Sequence, residues 1–193
     1  NVVPDIEAYA KGITSGYVPL GATIINKKLA DHFDEKGFPH SYTYSGHPLA
    51  CAAALATIDY YFEENLVERT AEMGGYFMEG LEAIQDRHGT IGEIRGKGLF
   101  VGVELVANRE KKEKIQPEGL TPEESRDPEK NPMTYFSDTC KDKGLTLGIS
   151  PGTGILRMMP CLTITKEQID EGLKILEDAL EAMEKKFDLP KKT

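Results

Sequence analysis

Apolar residues recur along this chain with two periods, a helical one over a few long stretches and an alternating one over several short ones. The clearest helical stripe is Ile169, Leu173, Leu176, Leu180 and Met183. Thr165 stands ahead of it as a cap, and Glu167 and Gln168 supply the capping partner, so the spacing predicts a helix starting there. A second stripe, Leu66, Met73, Phe77, Leu81 and Ile84, predicts a long amphipathic helix from an Asn65 cap through Arg87. Gly74 and Gly75 lie inside it and cost about 1 kcal/mol each relative to alanine, which predicts either a bend or a close packing contact.

Other segments follow from local signals. Thr23-Ile24-Ile25 reads as a strand of about five residues beginning near Gly21. Asn26 caps a short helix carrying Leu29, Ala30 and Phe33, and Gly37 with Pro39 ends it. Residues 38–46 form a polar and aromatic loop. Pro48 then occupies a first helical position, and the uncharged, alanine-rich run from Leu49 to Ile58 predicts a helix buried against neighbouring backbone, ending near Glu63-Glu64. Ile91 through Val106 carries two β-like pieces around Gly96-Lys97-Gly98, a hairpin or a bulged strand. Residues 108–131, charged and broken by Pro117, Pro122 and Pro128, predict a solvated surface excursion. Asn131 and Pro132 open a helix through Lys143 that Gly144 stops. Strands over 145–149 and 155–159 are joined by the turn Ser150-Pro151-Gly152-Thr153-Gly154. The order predicts an α/β front, residues 1–65, and an α+β rear, residues 66–193.

Composition narrows the classes. The 193 residues, 39% hydrophobic, suffice for a packed core. A formal net charge of -9 argues against non-specific binding to nucleic acid or acidic membranes, which both need a basic surface. No apolar run approaches the ~20 residues of a membrane span, and a cytoplasmic location is expected. Cys51, Cys140 and Cys161 are widely spaced and suit reduced thiols. With His32, His40, His47 and His88 they show no metal-ligand spacing, so no metal site is expected.

Three residues are candidates for chemistry. Lys11 stands between Ala10 and Gly12, with Gly16, Pro19 and Gly21 turning the chain close by. Desolvation in such a setting would free the neutral amine for a Schiff base, although on composition alone Lys11 reads as a solvated surface lysine. Thr43 precedes a helix N-terminus near Gly46-His47-Pro48, where unpaired N–H groups suit a phosphate. By itself it reads as a turn hydroxyl bonded to backbone. Arg157 interrupts the apolar strand Ile155-Leu156-Arg157-Met158-Met159, where a guanidinium needs either a buried acid or a pocket opening onto a carboxylate.

These motifs resemble, in the same order, those of the class III (ω-amino acid) aminotransferases. Pro4-Asp5-Ile6, Ala10-Lys11-Gly12 and Gly16-Tyr17-Val18-Pro19-Leu20-Gly21-Ala22 resemble the family's cofactor-lysine segment. Ser41-Tyr42-Thr43-Tyr44-Ser45-Gly46-His47-Pro48 is similar to its Thr-x-x-Gly-Asn-Pro segment, with His47 where asparagine is commoner. Leu156-Arg157-Met158-Met159-Pro160-Cys161-Leu162 resembles its Arg-x-x-Pro-x-Leu segment, and Arg95-Gly96-Lys97-Gly98-Leu99 a turn of its small domain. The resemblance covers Asp5 to about Phe187.

It implies a fold-type I enzyme, of which this chain holds the end of the large cofactor domain and the small α+β C-terminal domain. It implies pyridoxal 5'-phosphate carried by Lys11, a phosphate contact from Thr43 to the partner subunit of a homodimer, and a substrate carboxylate on Arg157. The amine would pass to a keto acid such as pyruvate or 2-oxoglutarate, with ω-amino acid or taurine enzymes as the nearest type. The sequence begins almost at the lysine motif, so the resemblance also implies that roughly the first half of the family's chain lies outside it. The family's phosphate loop, ring-stacking aromatic and pyridine-pairing aspartate belong to that half. Two alternatives stand beside the enzyme: a non-catalytic fragment that folds and dimerises, and a binding protein in which Lys11 is an ordinary surface residue.

Overall fold

The computed structural model describes residues 2–150 and 152–189, which divide into two compact units with the boundary between Leu66 and Val67. In the first unit, strands β1 (Ile6–Tyr9) and β2 (Ala22–Ile25) pair antiparallel with Ile6 opposite Ile25. β1 has no counterpart in the sequence reading, because Ile6-Glu7-Ala8-Tyr9 is too short and mixed to show a period. Helix α1 (Lys27–Lys36) follows, and the Asn26 side chain accepts from the Leu29 N–H at 3.0 Å, the predicted cap. Asn26 also donates through its side-chain amide to the Asp5 carboxylate and through its backbone N–H to the Asp5 carbonyl, which ties α1 to the start of β1.

Helix α2 (Pro48–Glu63) contradicts its predicted burial. Only Ala50 and Ala54 are buried, whereas Leu49 is 64% and Phe62 78% exposed, and Leu55, Ile58 and Tyr60 are exposed as well. Small size explains the buried pair, which lies one turn apart. The larger apolar side chains find no cover among the described residues. Asn65 is also not in the extended geometry of a cap; its φ of 48° makes it a left-handed link.

The second unit stacks helices on an antiparallel sheet. Helix α3 (Leu66–Arg87) leads to the hairpin β3 (Ile91–Lys97) and β4 (Phe100–Asn108), and the strand order continues through β7 (Ile155–Met158) to β6 (Gly148–Ser150). Val101, Val103, Leu105, Leu156 and Met158 alternate into the core, where Met73, Phe77, Leu81 and Ile84 of α3 meet Ile169, Leu173, Leu176, Leu180 and Met183 of α5 (Lys166–Lys186). Thr165 and Gln168 complete the predicted capping box. The two glycines of α3 differ. A Cβ on Gly74 would lie 2.4 Å from the Gly98 backbone at the hairpin tip, while one on Gly75 meets nothing within 4 Å. Close packing, not a bend, is therefore the reason for the first.

Residues 108–131 are less solvated than predicted. Asn108 belongs to β4, β5 (Glu113–Lys114) pairs with β4, and Ile115 is buried between them and Gly154. The Asn131 side chain accepts from the Met133 N–H at 3.0 Å, so it caps α4 (Pro132–Asp142) as expected, and α4 stops one residue early. The strand predicted at 145 begins only at Gly148, and Pro151 of the following turn lies outside the described residues.

Candidate active site

Lys11 opens a 3-10 turn, Lys11–Thr14, that packs against α2 within the first unit. Thr14 anchors the turn: it is 1% exposed, and its hydroxyl donates to the Val18 carbonyl at 2.6 Å. Lys11 itself has φ 54°, a left-handed backbone that a β-carbon disfavours by about 1–2 kcal/mol, and Ser15 repeats it at 51°. The strain sits at the residue the sequence singled out. The Lys11 side chain is exposed and, among the described residues, without a hydrogen-bond partner. The desolvation expected around this amine is therefore not supplied by these residues.

Thr43 begins the exposed turn 43–46 just before α2. The Ser45 hydroxyl accepts from the Tyr42 N–H at 3.1 Å, leaving Thr43 outward. His47 occupies the cap position but makes no side-chain cap bond, so the first N–H groups of α2, on Leu49 and Ala50, keep their donors. An amine and an uncapped helix start are thus held in one unit. An amine suits an aldehyde and an uncapped helix start suits a phosphate, so each is chemically compatible with one end of an aldehyde phosphate.

Arg157 lies in the second unit on β7, facing away from the core between buried Leu156 and Met158. Its cross-strand neighbours are both glycines, Gly102 on β4 and Gly148 on β6. No carboxylate pairs with it among the described residues, which removes the salt-bridge alternative there. Arg157 instead lines a cavity of about 270 Å³ whose walls include Phe77, Leu145, Leu147, Met159 and Ile164.

A buried polar cluster escaped the sequence reading. Glu184, 1% exposed on α5, accepts from the Thr90 hydroxyl at 2.6 Å and meets His88 Nδ1 at 3.0 Å. His88 Nε2 lies 3.5 Å from Glu177, which also accepts from Arg87 Nε at 2.6 Å. The hydrogen bond to Glu184, joined by the weaker pull of Glu177, raises the His88 pKa against the opposing effect of burial. Arg87, first of all, holds Glu177 below the usual carboxylate range. The available signal was Glu184 itself, four residues beyond Leu180 on the apolar stripe of α5.

The model of the family "Aminotransferase class-III" matches residues 1–180. The chain belongs to this family. The class III relatives include γ-aminobutyrate transaminase 1, mitochondrial, of Solanum lycopersicum, 34% identical over an alignment of 193 positions that covers 97% of this chain and 35% of that protein. Among solved class III structures, the taurine:2-oxoglutarate aminotransferase of Bifidobacterium kashiwanohense, in complex with PLP and glutamate, superposes with a TM-score of 0.80 at 32% identity, covering 96% of this chain and 39% of that one. A Bacillus anthracis aminotransferase gives 0.77 at 37% identity, covering 94% and 40%. The chain thus spans little more than a third of the length of the relatives it matches. Its family's fold is that of the pyridoxal-phosphate transferases, and pyridoxal 5'-phosphate is the cofactor. No helix among the described residues is long and apolar enough to cross a membrane.

Proposed function

We propose that this chain is the C-terminal part of an aminotransferase that moves an amino group from an ω-amino acid or amine to a keto acid such as pyruvate or 2-oxoglutarate. The observation that carries the reading is Lys11, exposed with a free amine in a strained left-handed turn inside the family's match. Relatives named for γ-aminobutyrate and for taurine with 2-oxoglutarate support the substrate class. Pyridoxal phosphate, when bound, supplies the electron sink that makes the carbon bearing the amine acidic. Lys11 Nζ is its covalent anchor. Freed by the incoming amine, Lys11 Nζ would take the proton from the amine-bearing carbon and deliver it two atoms away, the 1,3-shift that lets the former amine carbon leave as a carbonyl once water adds. Thr43 Oγ1 donates to the phosphate held by a second copy of the chain, which makes the enzyme a homodimer. Arg157 holds a substrate carboxylate with two parallel N–H bonds, and the apolar walls of its cavity suit an alkyl chain.

One observation favours a second reading for the chain taken alone. Lys11 is not desolvated, and α2 presents large apolar side chains to solvent, so these 193 residues by themselves fold and dimerise without turning over. The missing cover and the pyridine-pairing aspartate would come from the upstream half. The reading places the enzyme in the cytoplasm, although the tomato relative is named mitochondrial; cell fractionation distinguishes the two.

The test uses the longest natural polypeptide containing this sequence. Loaded with pyridoxal phosphate and reduced with borohydride, it should carry the cofactor's added mass on the peptide containing Lys11, and Lys11→Ala should lower transamination by roughly 10²–10⁴-fold. Added mass on other lysines alone sinks the proposal.

A further inference from the structure

The register of the second unit's sheet places two arginines in one row. Reading across the strands, Arg95 on β3 stands opposite Gly102 on β4, Gly102 opposite Arg157 on β7, and Arg157 opposite Gly148 on β6. Cross-strand partners share a face. The alternation of buried Val101, Val103, Leu156 and Met158 puts this row on the face turned away from the helices. Each glycine lies beside an arginine side chain. A Cβ on Gly102 would lie 4.0 Å from Arg95 Cγ, and one on Gly148 would lie 3.6 Å from Arg157 Cβ and 3.9 Å from its Nε. Both side chains therefore lean the same way, each over the glycine of the next strand.

The charges along this row are unusual for a chain of net charge -9. Arg157 has no carboxylate partner among the described residues. Arg95 has only Glu93, at 2.8 Å, in a pair whose side chains are 52% and 63% exposed. An exposed pair of that kind adds little stability and exchanges readily for a better acceptor. Two strand spacings separate the arginine backbones, about 10 Å. That suits two carboxylates at the ends of a short chain better than one compact anion. Glu104, two residues along β4 from Gly102 and opposite Ile155, bounds the patch on one side, and Lys97 extends it on the other.

We propose that Arg95 is a second carboxylate contact, so that this face grips a dicarboxylic acid by both ends, Arg157 taking one carboxylate and Arg95 the other. The inference rests on Arg157 as a carboxylate anchor and adds the residue that selects diacids over monoacids. The glycines at 102 and 148 leave the floor of the row open between the two arginines and beyond Arg157.

The test titrates the longest natural polypeptide containing this sequence calorimetrically with glutarate, a diacid, and butyrate, a monoacid. The expected result is that Arg95→Gln weakens glutarate about tenfold or more and leaves butyrate unchanged, while Arg157→Gln weakens both. Arg95→Lys, which keeps the charge, recovers part of the glutarate affinity. Circular dichroism confirms that each variant is folded, and a change in the glutarate-to-butyrate ratio is not something a purely structural arginine produces. Wild-type affinity for glutarate in Arg95→Gln overturns the proposal, as does a wild-type chain that binds glutarate no better than butyrate. If Arg157→Gln leaves both acids bound as before, the carboxylate role of Arg157 itself falls.

Discussion

His88 has carboxylates on both sides, and only its protonated ring donates to Glu184 and Glu177 at once. Arg87 and Asp86 flank the same turn on α3, and the Arg109 guanidinium donates to the His88 carbonyl at 2.6 Å. A raised folded-state pKa means the proton is bound more tightly in the folded chain. The cluster's contribution is therefore complete below the ordinary value of 6.5 and fades as pH rises through the raised one. Thermal unfolding followed from pH 6 to 9 should show a falling midpoint, and His88→Gln should flatten that fall. A steeper fall in the variant contradicts the assignment. At this same scale Lys11 and Arg157 were legible because each is a charged residue in an unexpected frame, one among glycines and one inside an apolar strand. Arg95 was not, since what distinguishes it is the register that sets Gly102 between it and Arg157, and no linear pattern encodes register.

Helix α3 and the β3–β4 hairpin meet through backbone. Gly98 turns the hairpin with φ 56°, and a Cβ on Gly74 would lie 2.4 Å from its backbone, which leaves no room for a methyl at position 74. Gly74→Ala should cost about 1–3 kcal/mol in urea unfolding, the usual penalty of overpacking. Gly75→Ala, whose Cβ meets nothing, should instead gain up to about 1 kcal/mol from helix propensity. Equal effects at the two positions would show that the hairpin tip does not rest on the helix. Elements with a long period and a cap, such as α3 and α5, could be read from the sequence because their stabilising contacts repeat along the chain. β1 and β5 could not: four and two residues carry no period, and each exists only because a partner strand offers unpaired backbone groups. The burial of α2 was misread for a related reason. An uncharged surface on a helix says that something covers it, but not that the cover lies within these residues.

That surface governs behaviour of the chain as a whole. Leu49, Leu55, Ile58, Tyr60 and Phe62 lie exposed on one helix, and an apolar array of this kind drives association. Sedimentation of the 193-residue chain should show concentration-dependent dimers or larger species, and Leu55→Glu combined with Phe62→Glu should shift it towards monomer. A monomer already in the wild type would count against the dimer. The second unit has a different property. β4 and β7 are hydrogen-bonded neighbours although residues 109–154 separate them in sequence. Within that span the exposed Pro117–Gly119 stretch lies between two moorings. Buried Ile115 and β5 hold one side, and on the other the Asn131 amide and the Thr134 hydroxyl both donate to the Ser125 carbonyl at 2.8 Å while Lys186 grips Glu129. A protease nick at Gly119 would therefore cut the covalent thread without releasing either piece. The halves should co-elute on a sizing column and part only in denaturant, so the sheet works as a clasp and the unit could be assembled from two separately made peptides.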